Sequence, residues 1–404
     1  MNWRRNGKPS TPDATDAMRL KVLVLTDFFF PAPGGGYRAV INLVAPLARS
    51  VAFSFLSTPS NDSRDGSLRG VTTHDWRKDG EFRVRRIRWR FRSLAKIREA
   101  IRSEQPEIIL LTSLMSRFSS LLLIWRGPSF RCRRFPPVVL MPQGELMNGA
   151  LAIRSRRKIA YLRVLRLSTF IRNVHWWAST EEERSAILRW FPRAFVHHIQ
   201  IPPPLIEAAK HPMPDRGNGC RILFASSVSP KKRPSVLIEA LSAALRLQPT
   251  ETTLTMCGSV HDQREQDRCI ELMAGAPACL QFEILGPLEP NKVAEQIQAC
   301  HLLALPTLGE NYGYVIIEAL ANSRPVLTGR ETPWTEILSS GAGEVVEDSV
   351  EAWTESLSRW LAFDGEQLQN RSEQAFEAAL EFLAKGEVPQ QAQRLFENLL
   401  GRNN

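Results

Sequence analysis

The segment Pro306-Thr-Leu-Gly-Glu-Asn-Tyr-Gly-Tyr-Val-Ile-Ile-Glu-Ala-Leu320 sets two glutamates, Glu310 and Glu318, eight residues apart. Leu302–Pro306 reads as a buried strand, and the stretch from about Gly313 to Ala321 reads as a helix. Glu310 then lies in the loop between them, and Glu318 about a turn and a half into the helix. At roughly 1.5 Å per helical residue, the two carboxylates stand on the order of 10 Å apart. That is about the span from a hexose to the ribose of a sugar nucleotide. The helix N-terminus at Gly313, Tyr314 and Val315 points between them. Its N–H groups and dipole suit a diphosphate, and glycine at 313 lets the backbone approach closely. Two glutamates alone read more simply as an acidic loop and a helix surface. The preceding strand-Pro-Thr and the following Glu-Ala-Leu favour the site.

Those residues need a scaffold, and the rest of the chain predicts one. Leu20–Thr26 reads as a buried strand, followed by Pro31-Ala-Pro-Gly-Gly-Gly36 and a helix over Ala39–Leu47. Strand, glycine-rich turn and helix open a Rossmann-like domain. Further strands are predicted at Val51–Ser57, Pro106–Leu111, Val138–Met141 and Val174–Ala178, with a capped helix opening at Ser179–Glu183. Ile201-Pro-Pro-Pro204 breaks the pattern. A second alternating series follows, with strands at Arg221–Ala225, Thr253–Cys257, Leu280–Leu285, Leu302–Pro306 and Pro325–Thr328. Alternation of this kind predicts parallel sheets covered on both faces. The expected organisation is a disordered tail over 1–17, an N-terminal domain over 18–203 and a C-terminal domain over 204–384. A last helix at about 385–404 is expected to pack back on the first domain.

The charge is divided at the same place. The chain of 404 residues holds 52 Lys+Arg and 42 Asp+Glu, a net charge of +10. Residues 1–204 carry 35 basic and 15 acidic residues, +20, and residues 205–404 carry 17 and 27, −10. Such asymmetry predicts different partners for the two halves. The basic stretches Arg83–Arg102, Arg126–Arg134 and Arg154–Arg172 suit an anionic surface. In the third, Ile159, Tyr161, Leu162, Val164, Leu165 and Leu167 alternate with arginines, which fits either a helix lying on a membrane or an ordinary surface helix. No recognition motif accompanies the charge, so no nucleic-acid partner is expected. No apolar run approaches the roughly 20 residues of a membrane span, and the polar N-terminus is unlike a signal peptide, so a cytoplasmic protein is expected. Six cysteines without zinc spacing read as reduced thiols. The pair His197-His198 reads as structural or surface.

The Glu310–Glu318 segment resembles the Glu-x7-Glu signature of retaining GT-B glycosyltransferases, especially glycosyltransferase family 4. Pro31–Gly36 resembles the family's first glycine-rich loop, and Ser229-Pro-Lys-Lys232 with Ser235–Leu241 resembles its Ser-Pro-Lys-Lys block. Gly258 and Gly286 match glycines after the second and third strands of the C-terminal domain. Pro325–Thr328 and Thr332-Pro-Trp334 match the run after the signature helix. Met141-Pro-Gln-Gly-Glu-Leu-Met-Asn-Gly-Ala-Leu151 is similar to a block found in a branch associated with bacterial surface polysaccharides. The resemblance implies an α/β protein of GT-B fold, two Rossmann-like domains facing across a cleft. It implies a hexosyltransferase-like enzyme that takes a sugar, with retention, from a UDP- or GDP-sugar to a lipid-linked or oligosaccharide acceptor. It would need no metal or other cofactor, and could sit peripherally on the inner face of the cytoplasmic membrane, an anionic membrane surface.

By the same resemblance, Glu310 would hold donor-sugar hydroxyls and Lys232 would neutralise the leaving diphosphate. Glu318 would bind the ribose. Asn311, Gly313, Tyr314 and Val315 would line the donor beside it, and Leu285–Leu288, with Gly286 and Leu288 among the donor residues, would supply backbone contacts to the base. Gly35, Gly36, Ser227 and Gly258 would complete the donor side. Gln143, Gly144 and Glu145 would lie on the acceptor side. Ser227 stands where the family usually has arginine, Gln143 replaces another, the usual histidine near 112–116 is absent, and Tyr314 stands where relatives often carry histidine. These departures keep open a second reading, a weakened or inactive homologue acting as a binding or scaffold protein. An epimerase on the same fold is a third, for which the cleft histidines and carboxylates are missing.

Overall fold

The computed structural model describes residues 19–27, 35–58, 76–79, 82–87, 93–129, 135–147, 150–151, 155–200, 206, 208–217, 219–310, 312–384 and 388–401. The tail expected over 1–17, residues 31–34 of the glycine-rich loop, and Asn311 lie outside the described residues. The chain forms two compact units. The first is Met1–Pro202 with Glu387–Asn404, and the second is Pro203–Gly386.

The first unit alternates strand and helix. Its elements are β1 (Leu20–Thr26), α1 (Gly35–Leu47), β2 (Val51–Ser57), β3 (Arg77–Asp79), β4 (Phe82–Arg86), α2 (Ser93–Glu104) and β5 (Ile108–Leu111). They continue with α3 (Arg117–Ser129), β6 (Val138–Leu140), α4 (Ser155–Leu167), β7 (Val174–Ala178), α5 (Glu181–Trp190) and β8 (Phe195–His198). The strand order is β3-β4-β2-β1-β5-β6-β7-β8, parallel except for the β3–β4 pair. Both faces of β1 are buried, which explains its continuous apolar run. Val22 and Val24 face a core with Val40, Leu43 and Val44 of α1. Leu23 and Leu25 face the other core, with Ile97 of α2 and Phe118 and Leu122 of α3.

The second unit contains β9 (Cys220–Ala225), α6 (Pro234–Leu247), β10 (Thr252–Cys257), α7 (Gln263–Ala274), β11 (Leu280–Gly286), α8 (Pro290–Ala299), β12 (Leu302–Leu305), α9 (Tyr314–Ala321), β13 (Val326–Gly329) and β14 (Gly343–Val346). A short helical turn at Thr335–Ile337 runs into a π-turn at Leu338–Ala342 before β14. The sheet is wholly parallel, in the order β11-β10-β9-β12-β13-β14. Two helices follow, α10 (Val350–Ala362) and α11 (Gly365–Ala384). α12 (Val388–Leu399) then returns to the first unit, where Val388, Ala392, Leu395 and Phe396 join the core that holds Val40 and Leu43.

The sequence reading took Glu351–Leu400 as helical without a strong break before Gly386. The structure breaks it at Phe363-Asp364, because Asp364 and Gln367 form a reciprocal capping box. Gln367 N donates to Asp364 Oδ1 at 2.8 Å, and Asp364 N to Gln367 Oε1 at 2.9 Å. β3, β4, β14 and α3 were also unanticipated. The three strands are short, and β4 (Phe-Arg-Val-Arg-Arg) is too basic to read as buried.

Two buried groups pin the segment that enters the second unit. The Arg324 guanidinium donates to the carbonyls of His211, Pro212 and Gln298. His301, with no exposed surface, accepts from Arg221 N at Nδ1 (2.9 Å) and donates from Nε2 to Pro214 O (3.1 Å). Burial lowers the His301 pKa to about 4, so the ring is neutral with its proton on Nε2.

Candidate functional site

In the second sheet the strand order runs outward from β9 through β10 to β11 on one side, and from β12 to β14 on the other. The order reverses between β9 and β12. In open α/β sheets that reversal leaves a crevice at the carboxyl edge, where connecting loops diverge. The loops after β9 and β12 are residues 226–233 and 306–313, the two segments that sequence reasoning singled out.

The chain laces them together. Leu308 N donates to Lys231 O at 2.8 Å, and Glu310 N to Glu331 O, beyond β13, at 2.8 Å. Across this frame the Lys232 ammonium forms an ion pair with Glu310 Oε1. Their side chains are only 16% and 10% exposed. A cation and a carboxylate this far from water compensate one another's burial, and taking away either leaves the other's charge uncompensated. Ligands that bind one must therefore compete with the other.

Glycines at the ends of the neighbouring strands β10 and β13 permit close approach to these two loops. A Cβ on Gly258 would lie 1.8 Å from Ser226 O, and one on Gly329 would lie 2.2 Å from Thr307 O. Gly313 adopts φ 75°, ψ 57° and caps α9 with no side chain. That leaves the first turn without the oxygen a serine or aspartate would aim at it. Glu310 stands just before this helix end, and Glu318, half-buried, is its fifth residue. Tyr314 is buried and Val315 half-buried in the first turn.

The other donor-side candidates share the same carboxyl edge. Ser227 lies half-buried after β9, where its neighbour Ser226 N donates to Cys257 O at 3.0 Å. Gly258 N donates to Gly286 O at 2.9 Å, and Leu288 follows at the outer strand. Lys232, Glu310 and the α9 end thus cluster at the switch point, with Gly258, Gly286 and Leu288 towards the β11 side. Arg233 follows Lys232 in the left-handed region, at φ 53°, and its guanidinium is paired with Asp348. That partner carboxylate is itself largely exposed, so the pair is a weak one. Among the described residues no group of three His, Cys, Asp or Glu side chains is placed to hold a metal ion.

In the first unit, Gly35 and Gly36 open α1 after the β1 loop. Gln143 and Gly144 both have positive φ, 51° and 80°, in the turn after β6. The Glu145 carboxylate is occupied: Ser113 Oγ donates to it at 2.6 Å, Leu114 N at 2.6 Å and Met115 N at 3.1 Å. Burial raises its pKa, against those three bonds and Lys158. Glu145 thus shapes the loops after β5 and β6 rather than presenting a free carboxylate. Sequence reasoning missed its counterpart, Glu183, whose side chain is buried. Glu183 Oε1 accepts from Gly144 N at 2.5 Å and Oε2 from Ser179 N at 2.8 Å, locking the turn after β6 to α5. Its signal was present in Thr180-x-x-Glu183, which was read only as a helix start. Also missed was the aromatic support beneath the signature loop. Tyr312 packs on Tyr314 (4.5 Å between centroids) and Trp334 (5.2 Å), and Trp334 Nε1 donates to Tyr312 O.

Comparison with known proteins is consistent with this geometry. Residues 209–378 match the family model described as Glycosyl transferases group 1. D-inositol 3-phosphate glycosyltransferase of Nocardia farcinica is 32% identical over 109 residues, covering 26% of this chain and 24% of that protein. The chain spans between a quarter and about a third of the length of the curated relatives it matches. Among solved structures, sucrose-phosphate synthase from Thermosynechococcus elongatus superposes with a TM-score of 0.72 at 16% identity, covering 95% of this chain and 100% of that one. HepE from Anabaena, solved with UDP-glucose, gives 0.67 at 18% identity, with the same coverage. At such identities the likeness establishes fold. The chain has the GT-B fold, and the match to the Glycosyl transferases group 1 model lies within its second unit.

Proposed function

We propose that this protein is a retaining glycosyltransferase of the family 4 type. It takes a sugar from a UDP- or GDP-sugar to a lipid-linked glycan in bacterial surface polysaccharide synthesis, working at the inner face of the cytoplasmic membrane. The observation that carries the proposal is the Lys232–Glu310 pair at the switch point, beside the side-chain-free cap of α9. The diphosphate would lie on the α9 end, drawing the Lys232 ammonium off Glu310. Glu310 would then be free to accept hydrogen bonds from the sugar, and Glu318 from the ribose. In the transfer the acceptor oxygen bonds to the anomeric carbon as the bond from that carbon to the diphosphate oxygen breaks. Attack is on the face the diphosphate leaves, and the acceptor proton passes to the departing diphosphate. Charge grows on the diphosphate as that bond lengthens, so Lys232 and the helix end stabilise the transition state more than the ground state. No metal enters this scheme. The lipid-linked acceptor and the membrane are supported by the +20 charge of residues 1–204.

A second reading, a non-catalytic binding or scaffold protein, is motivated by Ser227 and Gln143, which stand where the resemblance leads one to expect arginines. Calorimetry with UDP, GDP and ADP, then their common sugars, against wild type and Glu318→Ala tests both. We expect one nucleotide to bind, and the variant to bind it at least tenfold more weakly. Binding of none would set the catalytic reading aside in favour of the scaffold. Binding unchanged by Glu318→Ala would remove the ribose role.

A further inference from the structure

The first unit holds a cavity that the proposed reaction does not use. Its volume is about 70 Å³, the share of about two waters, and it lies at the amino edge of the first sheet, against the end of α2. Three cations line it: Arg19, just before β1, Lys21 on β1 and Arg83 on β4. Leu23, Ser54 and Arg83 stand in register across β1, β2 and β4. Lys21, two residues before Leu23, shares their face of the sheet, the one that α2 covers. Glu104, the last residue of α2, is the one carboxylate among the described lining residues.

The fold uses part of this charge. Arg83 donates to Glu104 Oε2 at 2.8 Å, and Ser54 Oγ donates to the same oxygen at 2.6 Å. Arg19 donates to Ala48 O, just past α1, at 2.7 Å. Ser103 Oγ donates to Ala100 O and accepts from Trp76 Nε1. Two donors remain. Arg83 Nε is buried with no partner. The Lys21 ammonium has no acceptor among the described residues, for the nearby Glu107 carboxylate is turned to the Lys21 backbone N–H, at 3.1 Å. Three cations stand against one carboxylate and about half a negative charge at each carbonyl end of α1 and α2, which leaves about one positive charge in surplus.

We infer that this cavity binds a phosphate group, free or carried by a small monoester, through Arg19, Lys21 and Arg83. A tetrahedral oxyanion presents acceptors in three directions, which suits cations arriving from before β1, from β1 and from β4, whereas a planar carboxylate presents two oxygens. The volume suits one phosphate and has no room for a nucleoside. The seven residues of β1 separate this edge by about 20 Å from the carboxyl edge, where the turn after β6 holds Gln143, Gly144 and Glu145. A phosphate here is therefore not part of an acceptor bound at that turn. No residue of the Lys232–Glu310 site takes part, so the inference stands independently of the proposed function.

The test is calorimetric titration of the full chain with inorganic phosphate, with hydrogen exchange followed at the amides of 52–54 and 100–104. Wild type should bind, and exchange at those amides should slow. Lys21→Gln, which breaks no side-chain contact among the described residues, should fold normally and bind about tenfold more weakly. Arg83→Lys keeps a cation beside Glu104 but drops the Nε donor, and should also lose about tenfold. Lys232→Gln should bind phosphate at this cavity as wild type does. Sulfate should match phosphate, and acetate should bind about tenfold more weakly. Glycerol 3-phosphate binding as tightly as phosphate assigns the site to a monoester; binding about tenfold weaker assigns it to the free ion. Absence of binding up to about 20 mM phosphate overturns the inference. So does undiminished binding in both Lys21→Gln and Arg83→Lys, or acetate binding as tightly as phosphate. Binding lost in Lys232→Gln, with exchange at 52–54 and 100–104 unmoved in wild type, would place the phosphate at the α9 end instead and overturn it as well.

Discussion

Replacing Glu310 by Gln should tighten binding of the bare nucleoside diphosphate while abolishing transfer. The Lys232 ammonium is paired with Glu310, with little of either side chain exposed to water. A diphosphate arriving at α9 must take the ammonium from a carboxylate and also accept that carboxylate as a neighbour. Glutamine keeps the shape and an acceptor oxygen but removes the charge. A charge-assisted hydrogen bond is worth about 1.5–3 kcal/mol, and the slight exposure of both side chains discounts the recoverable part to about 1 kcal/mol. That corresponds to about fivefold in Kd. The added relief from anion–anion repulsion acts in the same direction. Transfer should fall by about a thousandfold or more, since the neutral amide no longer matches the sugar hydroxyls and the positive character at the anomeric carbon. The assay pairs calorimetry with UDP or GDP, whichever binds wild type, with turnover of the matching nucleotide sugar. Unchanged or weaker nucleotide affinity in Glu310→Gln would refute the competition that the pair implies. Wild-type turnover would refute the position of Glu310 at the reacting sugar.

Three further outcomes follow from the geometry. His301 is buried neutral, its pKa lowered from 6.5 to about 4, so the unfolded chain takes up the proton first. Its contribution is full above pH 6.5 and is lost as pH falls towards 4, about 3 kcal/mol in all; urea melts of wild type and His301→Gln should converge over that window, and a difference independent of pH would contradict the assignment. Gly258→Ala should destabilise the second unit by about 3 kcal/mol or more, because its Cβ would collide with Ser226 O, and a melting temperature within a degree of wild type would show that the loops separate freely. Glu183→Ala should cost about 2–4 kcal/mol in the first unit by orphaning Gly144 N and Ser179 N, while nucleotide affinity in the second unit stays unchanged; hydrogen exchange at those two amides reads it directly.

The candidate site was legible for a specific reason. Its parts lie in two short segments, 229–233 and 306–318, and local sequence already says strand, loop, helix. A parallel sheet then brings the loops to one edge without further instruction. The buried strands were legible from continuous apolar runs such as Leu20–Thr26. What escaped was either short or non-local. β4 has the composition of a solvent-exposed run, yet it pairs with β2, and Arg85 and Arg86 are buried there. The ion pair between Lys232 and Glu310 joins residues 78 apart, so no window contains it. Gln143, Gly144 and Glu145 show what a local block leaves out. Their block was recognised, but the donors that occupy Glu145 are the Ser113 hydroxyl and the backbone N–H groups of Leu114 and Met115, and only the fold reveals that its carboxylate is taken.

The return of α12 to the first unit has a consequence for how the chain acquires its structure during synthesis. The second unit is one continuous stretch, 203–386, and every strand of its sheet is available before translation passes it. The first unit is interrupted. After β8 emerges, nearly two hundred residues must follow before Val388, Ala392, Leu395 and Phe396 reach the groove beside Val40 and Leu43. At about 5–20 residues per second, that leaves the groove open for about 10–40 s. The unit begun first is thus completed last, and in the interval its unclosed apolar face is a natural target for ribosome-associated holdases. A nonsense mutation anywhere between α11 and α12 would spare the sheet of the second unit and strand the first unit in that unfinished state.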